Sequence, residues 1–577
     1  MHPPYKMVLV SLISLSFYLL LLLIIKFLFP KKKIPPYLIL LGFSILPVIS
    51  IFRQGSYESG DLNIHVTRTV VFYKALKEGV IIPRWAADLN ATYGYPLFNF
   101  YYPLPYYISS FFHFLGFNFL NSVKLLLITT YISSGFFMYL WLKKHVAQKY
   151  ALLGSIFYLY APYHLVDMHF RATIGEMTSF SILPLILYFI DKSITKEKPP
   201  WNILAGISFG LLITAHAGIA VIGYGLISLY ILSRLEKPNI IKGIKTFSPL
   251  FLGFAYSSFY WIPAMFESKH AHQKIGELIL KFPTFSELLY SKWRYGFLFQ
   301  GPRGELSFLI GYAHWIVIII SLILIFSKKV KNKNILTFTL LTTVYIFLIL
   351  NISKPVWTNI SMLKKMLLTY RLLVVISLIT SALAAFVTNY LKSNKIYYLL
   401  ISLAVLTTIL NWGNRKNTPE IKDHQIIQNL PLSTINGEGA WNAVSITRPA
   451  DKLWQDKVPA NHIEAIKGDL VILEEERSTT SHDYLVKMQS TDIVKENTYY
   501  FPGWELTIDG KKEQINHSNR LYPGIVTFNL DKGIHKVQLT FKDTPIRAYS
   551  FYLTSFSLIA SGFYLLFNSQ ISSQQKF

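Results

Sequence analysis

Residues 7–29 hold little that is polar beyond a few serines, Tyr18 and Lys26, and similar apolar runs recur along the chain as far as residues 551–567. A helix needs roughly 20 apolar residues to cross ~30 Å of hydrocarbon, and only helices or closed barrels satisfy their own backbone there. These runs are too long and continuous for barrel strands, so they read as helices. The charge content agrees. Only 15% of the 577 residues are charged and 52% are hydrophobic, whereas a soluble protein is about a quarter charged. The sequence therefore predicts a polytopic α-helical membrane protein.

The net charge of +25 could suggest nucleic acid, but its placement argues against that partner. Lysines cluster just after apolar runs, at Lys31–Lys33, Lys143–Lys144, Lys192–Lys198, Lys328–Lys333 and Lys392–Lys395. Short basic loops of this kind stay in the cytoplasm. The first run is longer than a signal-peptide core and is followed by Pro30-Lys31-Lys32-Lys33 rather than small cleavage-site residues, so it reads as a retained helix. The chain has no cysteine, which excludes disulfides, thiolate metal sites and a cysteine nucleophile.

With those loops as cytoplasmic anchors, about thirteen spans fit, near residues 7–29, 36–52, 120–142, 148–166, 174–190, 201–215, 218–233, 246–264, 308–327, 335–352, 370–388, 396–412 and 548–568. The N-terminus then lies outside, and residues 1–412 form a multi-span domain with outer loops at 53–119, 164–176 and 267–305. The first loop is rich in Tyr, Phe and Pro, and residues 108–115 suit the headgroup level. The third carries a predicted amphipathic helix at Ile279–Tyr290. Residues 413–545 turn polar and alternate with period two, predicting an extracytoplasmic β-sandwich-like domain. Two hairpins are expected in it, one joining Gly524–Leu530 to Ile534–Phe541, the other turning at Asp509-Gly510. Residues 546–577 supply the last span and a short cytoplasmic tail.

Ionisable groups beside spans are costly and so the most informative. In the first outer loop, Ser59 or Asp61 can cap a helix on which Asp61, His65 and Arg68 share one face at i, i+4 and i+7. An acid, an imidazole and a guanidinium so placed could hold a metal or a phosphate, or simply form a cap and a solvated face. Arg84 beside Trp85 could contact a headgroup phosphate or a sugar ring, or serve as an interfacial anchor. The second outer loop packs His164, Asp167, His169, Arg171 and Glu176 into thirteen residues, which should face a wet cavity or one another. Five positions separate Arg171 from Glu176, off the ideal helical pair, so each is expected to find a partner elsewhere. His216 sits at an outer turn, where a satisfied turn residue is the simpler reading. Arg371 opens a span and could snorkel. His270-Ala271-His272 lacks an evident third zinc ligand. Soluble catalytic motifs such as Gly-x-Ser-x-Gly, a P-loop or His-Glu-x-x-His are missing.

Several stretches resemble a bacterial membrane-protein family labelled 6-pyruvoyl-tetrahydropterin synthase-related: Gly60–His65, Pro83-Arg84-Trp85, Tyr95–Tyr107, His169–Glu176, Tyr370-Arg371 and Tyr500–Trp504 with Asp509-Gly510. The label names a soluble enzyme with a histidine-ligated zinc site that has no counterpart in these motifs. The layout is also similar to the type-C glycosyltransferase (GT-C) superfamily of multi-span enzymes, which use polyprenyl-phosphate sugars and carry an essential acid in a large first outer loop. That likeness implies Asp61 as the first-loop acid and Asp167 or Glu176 as the second. The helix at residues 7–29 departs from the usual arrangement. On this reading Asp61 and Glu176 are catalytic, and His65, Arg68, Arg84, Trp85, Asp167, His169, Arg171, His216 and Arg371 bind substrate. A divalent metal on Asp61 and Asp167 is a further expectation, and the partners are the bilayer and a polyprenyl-phosphate-linked sugar. The rival reading is a non-catalytic protein that transports or presents a lipid-linked glycan.

Overall fold

The computed structural model describes residues 3–196, 199–235, 240–273, 282–290, 307–328, 330–364, 368–413, 417–419, 421–432, 444–446 and 458–574. Every expected span within these limits is built on helix. Among the described residues, seven helices are long and apolar enough to cross a membrane alone, and Lys333–Ile349 with the bent Asn351–Asn359 makes up to eight. Others are short or broken, such as Pro36–Phe52, Pro199–Ala215 and Tyr312–Phe326. Thirteen apolar runs in sequence are thus not thirteen full-length helices. The Thr369–Leu391 span is the most enclosed, with 94% of its apolar window buried, whereas Lys6–Leu28 and Pro545–Asn568 are 11% buried. The bundle is built around the former and flanked by the latter two.

Small residues let helices approach closely, the usual device where lipid offers no hydrophobic drive to pair them. Pro199–Ala215 meets Ile240–Tyr256 through Gly206, Gly210 and Gly253; a Cβ on Gly253 would lie 2.6 Å from the Phe209 ring and 2.9 Å from the Gly206 carbonyl.

The first outer loop forms the helix Leu62–Lys77 and the helix Leu104–Phe114. The second leaves Phe111 and Phe114 exposed, together with neighbouring Leu115, the pattern expected of a surface-lying element. In the third loop, residues 274–281 fall outside the described set; what is described of the expected amphipathic helix is Phe285–Leu289, started by a Thr284–Glu287 capping box.

The polar C-terminal segment does two different things. Its first part pairs with the loops at 53–119 and 267–305: Asn417–Thr418 pairs antiparallel with Ser56–Tyr57, and Val444–Ile446 pairs with Ala271–Gln273. From residue 463 onward it forms eight strands: β1 (Ile463–Ala465), β2 (Leu470–Arg477), β3 (Ser481–Met488), β4 (Asp492–Tyr499), β5 (Trp504–Ile508), β6 (Lys511–Glu513), β7 (Ile525–Leu530) and β8 (Gly533–Phe541). They make a five-stranded sheet, ordered β6-β5-β8-β3-β2, and a three-stranded sheet, ordered β7-β4-β1. Side chains meet between the sheets: His482 and Tyr484 of β3 both reach the buried Glu496 of β4, at 3.0 and 2.9 Å, and Arg477 of β2 lies 3.4 Å from it. Arginine and histidine contacts hold the Glu496 carboxyl down at about 2 against the opposing effect of burial.

One expected hairpin forms. Ile508 pairs with Lys511 across Asp509-Gly510, with φ of 51° and 78°, the positive values a two-residue primed turn needs. The other does not. β7 and β8 are strands, but β7 pairs with β4 while β8 pairs with β3 and β5. Residues 531–532 carry the chain from one sheet to the other, so strand alternation was legible but pairing was not.

Candidate functional site

The second outer loop explains how the charged groups meet. The helix Pro162–Val166 runs into a single π turn, Asp167–Arg171, which stops at Ala172 in the left-handed conformation, φ 55° and ψ 43°. A helix end leaves carbonyls without intrahelical donors. The first outer loop supplies them. The Tyr57 hydroxyl donates to the Met168 carbonyl at 2.8 Å, Gly60 N–H to Phe170 at 2.8 Å, and Asp61 N–H to Arg171 at 2.8 Å. Asp61 is thereby clamped by its own backbone against Arg171, although the two lie far apart in sequence.

Arg171 donates from Nη1 to Asp167 Oδ1 at 2.6 Å and from Nη2 to Glu176 Oε1 at 3.0 Å. Arg371 donates from Nε to the same Glu176 oxygen at 3.2 Å. The Tyr163 hydroxyl accepts from Arg171 at 2.7 Å and donates to Glu176 Oε2 at 2.8 Å. The expectation that each finds its partner elsewhere holds for Glu176, which reaches Arg371, but the two also pair with each other. It assumed one continuous helix, and the reversal at Ala172 brings the two side chains together. Tyr163 was missed; its only signal was its place one turn before Asp167.

Asp61 sits at the N-cap position of Leu62–Lys77 without using its side chain there; the Leu62 amide donates to Ser59 Oγ at 3.3 Å instead. Burial raises the Asp61 carboxyl above its ordinary range, opposed by Arg171 and Arg68 and reinforced by Glu176. Burial, and then the Glu176 charge, push Asp167 well up, with Arg171 opposing. The two carboxyls differ in setting: Asp61 is partly exposed, and Asp167 is buried against Arg171.

The other expected residues divide. His65 Nδ1 lies 3.0 Å from the Tyr106 hydroxyl, both buried. The Arg68 guanidinium sits 4.2 Å over the Tyr101 ring, beside Tyr95 and Tyr106. They line the inner side of the Asp61 face rather than a solvated one. His216 caps its helix, accepting from Ile219 N–H at 3.2 Å, and stacks on Tyr102 at 5.0 Å; its field reaches Glu176. His169 is buried in the π turn.

Arg84 and Trp85 are elsewhere. Trp85 is 1% exposed, edge-on to Trp504 at 5.4 Å and near Phe541 at 5.3 Å. Arg84 donates to Asn99 Oδ1 at 3.0 Å and the Phe259 carbonyl at 3.1 Å, and pairs with Asp543 at 3.3 Å. Asn99 in turn donates to Glu267, which also pairs with Arg547 at 3.0 Å. These residues join the first outer loop to the β region and the final helix. A buried tryptophan cannot stack on a sugar, so their assignment to substrate is corrected.

Among the described residues no group of three or more His, Asp or Glu is placed to hold a metal ion. Asp167 is committed to Arg171, so the expected Asp61–Asp167 metal pair does not fit the donor set. His270 precedes the paired strand Ala271–Gln273 and brings no such group together.

A family model described as a 6-pyruvoyl-tetrahydropterin synthase related domain, a membrane protein, matches residues 98–413, more than half of the chain. The chain belongs to this family. The matched range of this synthase-related protein includes Asp167, Arg171, Glu176, His216 and Arg371, while Asp61 lies before it. An uncharacterized protein of Lactococcus lactis subsp. cremoris (strain MG1363) is 22% identical over 247 residues, which cover 41% of this chain and 40% of that one. The match thus spans less than half the length of that relative. Among solved structures, arabinofuranosyltransferase AftD from Mycobacteria aligns with a TM-score of 0.41 at 13% identity, covering 66% of this chain and 27% of that one. The Archaeoglobus fulgidus oligosaccharyltransferase AglB, solved with an inhibitory peptide and a dolichol-phosphate, gives 0.42 at 13% identity, covering 72% and 59%. Likeness at this level carries no functional weight.

Proposed function

We propose that this protein is an integral membrane glycosyltransferase that moves a sugar from a polyprenyl-phosphate donor to an acceptor at the outer face. The observation that carries the reading is the clamping of Asp61, whose carboxyl makes no hydrogen bond among the described residues, against the Arg171–Glu176–Arg371 cluster. A base of raised basicity beside two guanidinium groups suits transfer from a phosphate. Asp61 takes the proton from an acceptor hydroxyl as its oxygen bonds to the anomeric carbon. The bond from that carbon to the phosphate oxygen breaks, and the phosphate leaves with the electron pair. Arg371, held through Nε and 21% exposed, meets the developing negative charge, supported by Arg171. Glu176 and Tyr163 hold both arginines in place. No step uses a metal.

The topology belongs to the same proposal: thirteen crossings, with the N-terminus and β region outside and the tail cytoplasmic, which puts every lysine cluster inside. The function is tested on purified full-length protein in vesicles, offered a radiolabelled polyprenyl-phosphate hexose and extracted glycan acceptors. Asp61→Asn should remove transfer while wild-type protein forms product. Equal product from both removes Asp61 from catalysis, and donor binding without turnover by the wild type favours the presenting role.

A further inference from the structure

A groove of about 830 Å³ lies between the final helix Pro545–Gln574 and the helices Ile174–Lys196, Pro199–Ala215 and Ile240–Tyr256. It is remote from Asp61. The helix Pro199–Ala215 ends beside His216, whereas the groove opens at Pro199–Ile203, roughly 20 Å away at the helical rise. One end is polar. Ser193 donates to Asn202 Oδ1, and Asn202 Nδ2 donates to Ser248 Oγ at 3.2 Å. Lys245 lines the same end, while Lys192, next to Ser193, turns to the Tyr188 and Trp201 rings at 5.6 and 5.2 Å. Toward the other end the walls are apolar, with Leu252, Phe556 and Ala560, and Tyr256 meets Ser561 at 2.5 Å.

The final helix turns Phe556, Ile559 and Phe563 outward, 71%, 59% and 58% exposed. In a membrane protein those side chains meet hydrocarbon, so the groove beside them opens to lipid. Basic pockets between membrane helices recruit anionic headgroups. We propose that this groove binds an anionic phospholipid, its headgroup at Lys245 and Asn202 and an acyl chain between Leu252 and Phe556.

The full chain is reconstituted into nanodiscs of phosphatidylcholine with or without phosphatidylglycerol, and retained lipid is read by native mass spectrometry. The expected result is retention of phosphatidylglycerol over phosphatidylcholine by on the order of tenfold. Lys245→Glu should abolish that preference. Ala560→Trp, which fills the groove, should remove the retained lipid, while Ile559→Trp on the outward face should not. Equal retention of both lipids by the wild type overturns the proposal, as does equal behaviour of the two tryptophan variants. Exclusion of phosphatidylglycerol by an added polyprenyl phosphate overturns it as well, giving the groove to a substrate lipid.

Discussion

Asp61 occupies a capping position without capping, so its carboxyl group is not committed to the fold. Asp61→Asn should keep melting within about 1 kcal/mol of wild type, inside the range of a full cap loss, while transfer disappears. Its pH dependence has a definite sign. The folded-state pKa is raised by burial, so the stability from the protonated acid is present below the ordinary value of ~3.9 and is lost as pH rises through the higher folded value. The Asn variant should lack that slope in thermal melts. Activity runs the other way, since the base must be ionised, and the acid limb of the rate profile should lie above ~3.9; a limb at or below that value sinks the role. Glu176 should behave in the opposite manner. It neutralises two arginines from a buried position, and removing one partner of a buried pair costs about 3–5 kcal/mol. Glu176→Gln should therefore lower the melting temperature sharply in detergent, and an unchanged melt would show the cluster to be unimportant for stability. The sequence exposed these charges because ionisable groups between apolar runs must find partners. It misassigned Arg84 and Trp85 because a buried joint and a ligand surface use the same residue types.

The reversal at Ala172 brings Asp167, Arg171 and Glu176 into one cluster, and no periodicity announced it. A π turn followed by one left-handed residue depends on the hydrogen bonds waiting for its carbonyls, and those come from residues 57–61. Left-handed geometry costs a residue with a Cβ roughly 1–2 kcal/mol, and glycine escapes it. Ala172→Gly should keep both melting and transfer. Ala172→Val, branched at Cβ, should lose both, because moving the Arg171 carbonyl moves the acceptor that holds the Asp61 amide. Equal activity in the two variants would show that Asp61 does not depend on this turn. The strands of the β region followed the opposite rule: alternation placed β7 and β8 well, and the Asp509-Gly510 turn declared its hairpin through two positive φ values. The short link at residues 531–532 could join a hairpin or cross between sheets, and only the packing of both sheets around Glu496 decides which.

Across the whole molecule, the sequence showed membrane and polar parts, and placed their border near residue 413. It did not show that the polar part begins by lacing through the outer loops before forming its sheets. That lacing sets the β region against the loop that carries Asp61. Thr479 N–H donates to Glu78 at 2.7 Å, Tyr499 N–H to the Tyr93 carbonyl at 3.0 Å, and Trp504 meets Trp85 edge-on. Protease added to intact spheroplasts should cut this region if it lies outside; complete protection would reverse the topology. The tryptophan pair offers the sharper test of docking. Each ring is buried, so Trp85→Ala or Trp504→Ala should cost about 3–5 kcal/mol, and Trp85→Ala should loosen the joint without touching the β core of Val486, Leu506 and Val537. Limited proteolysis of Trp85→Ala should then cut near Asp543, which is half-exposed beside Arg84, and sever the final helix from an intact β region. The rings also interact directly, and an edge-on aromatic pair is worth about 0.5–1.5 kcal/mol beyond its buried area. The double variant should therefore be less damaging than the sum of the single ones by about that amount. Strict additivity would mean that the two rings do not hold the β region to the membrane domain together, and the joint would then rest on the Glu267–Arg547 and Arg84–Asp543 pairs and the backbone bonds from Thr479 and Tyr499.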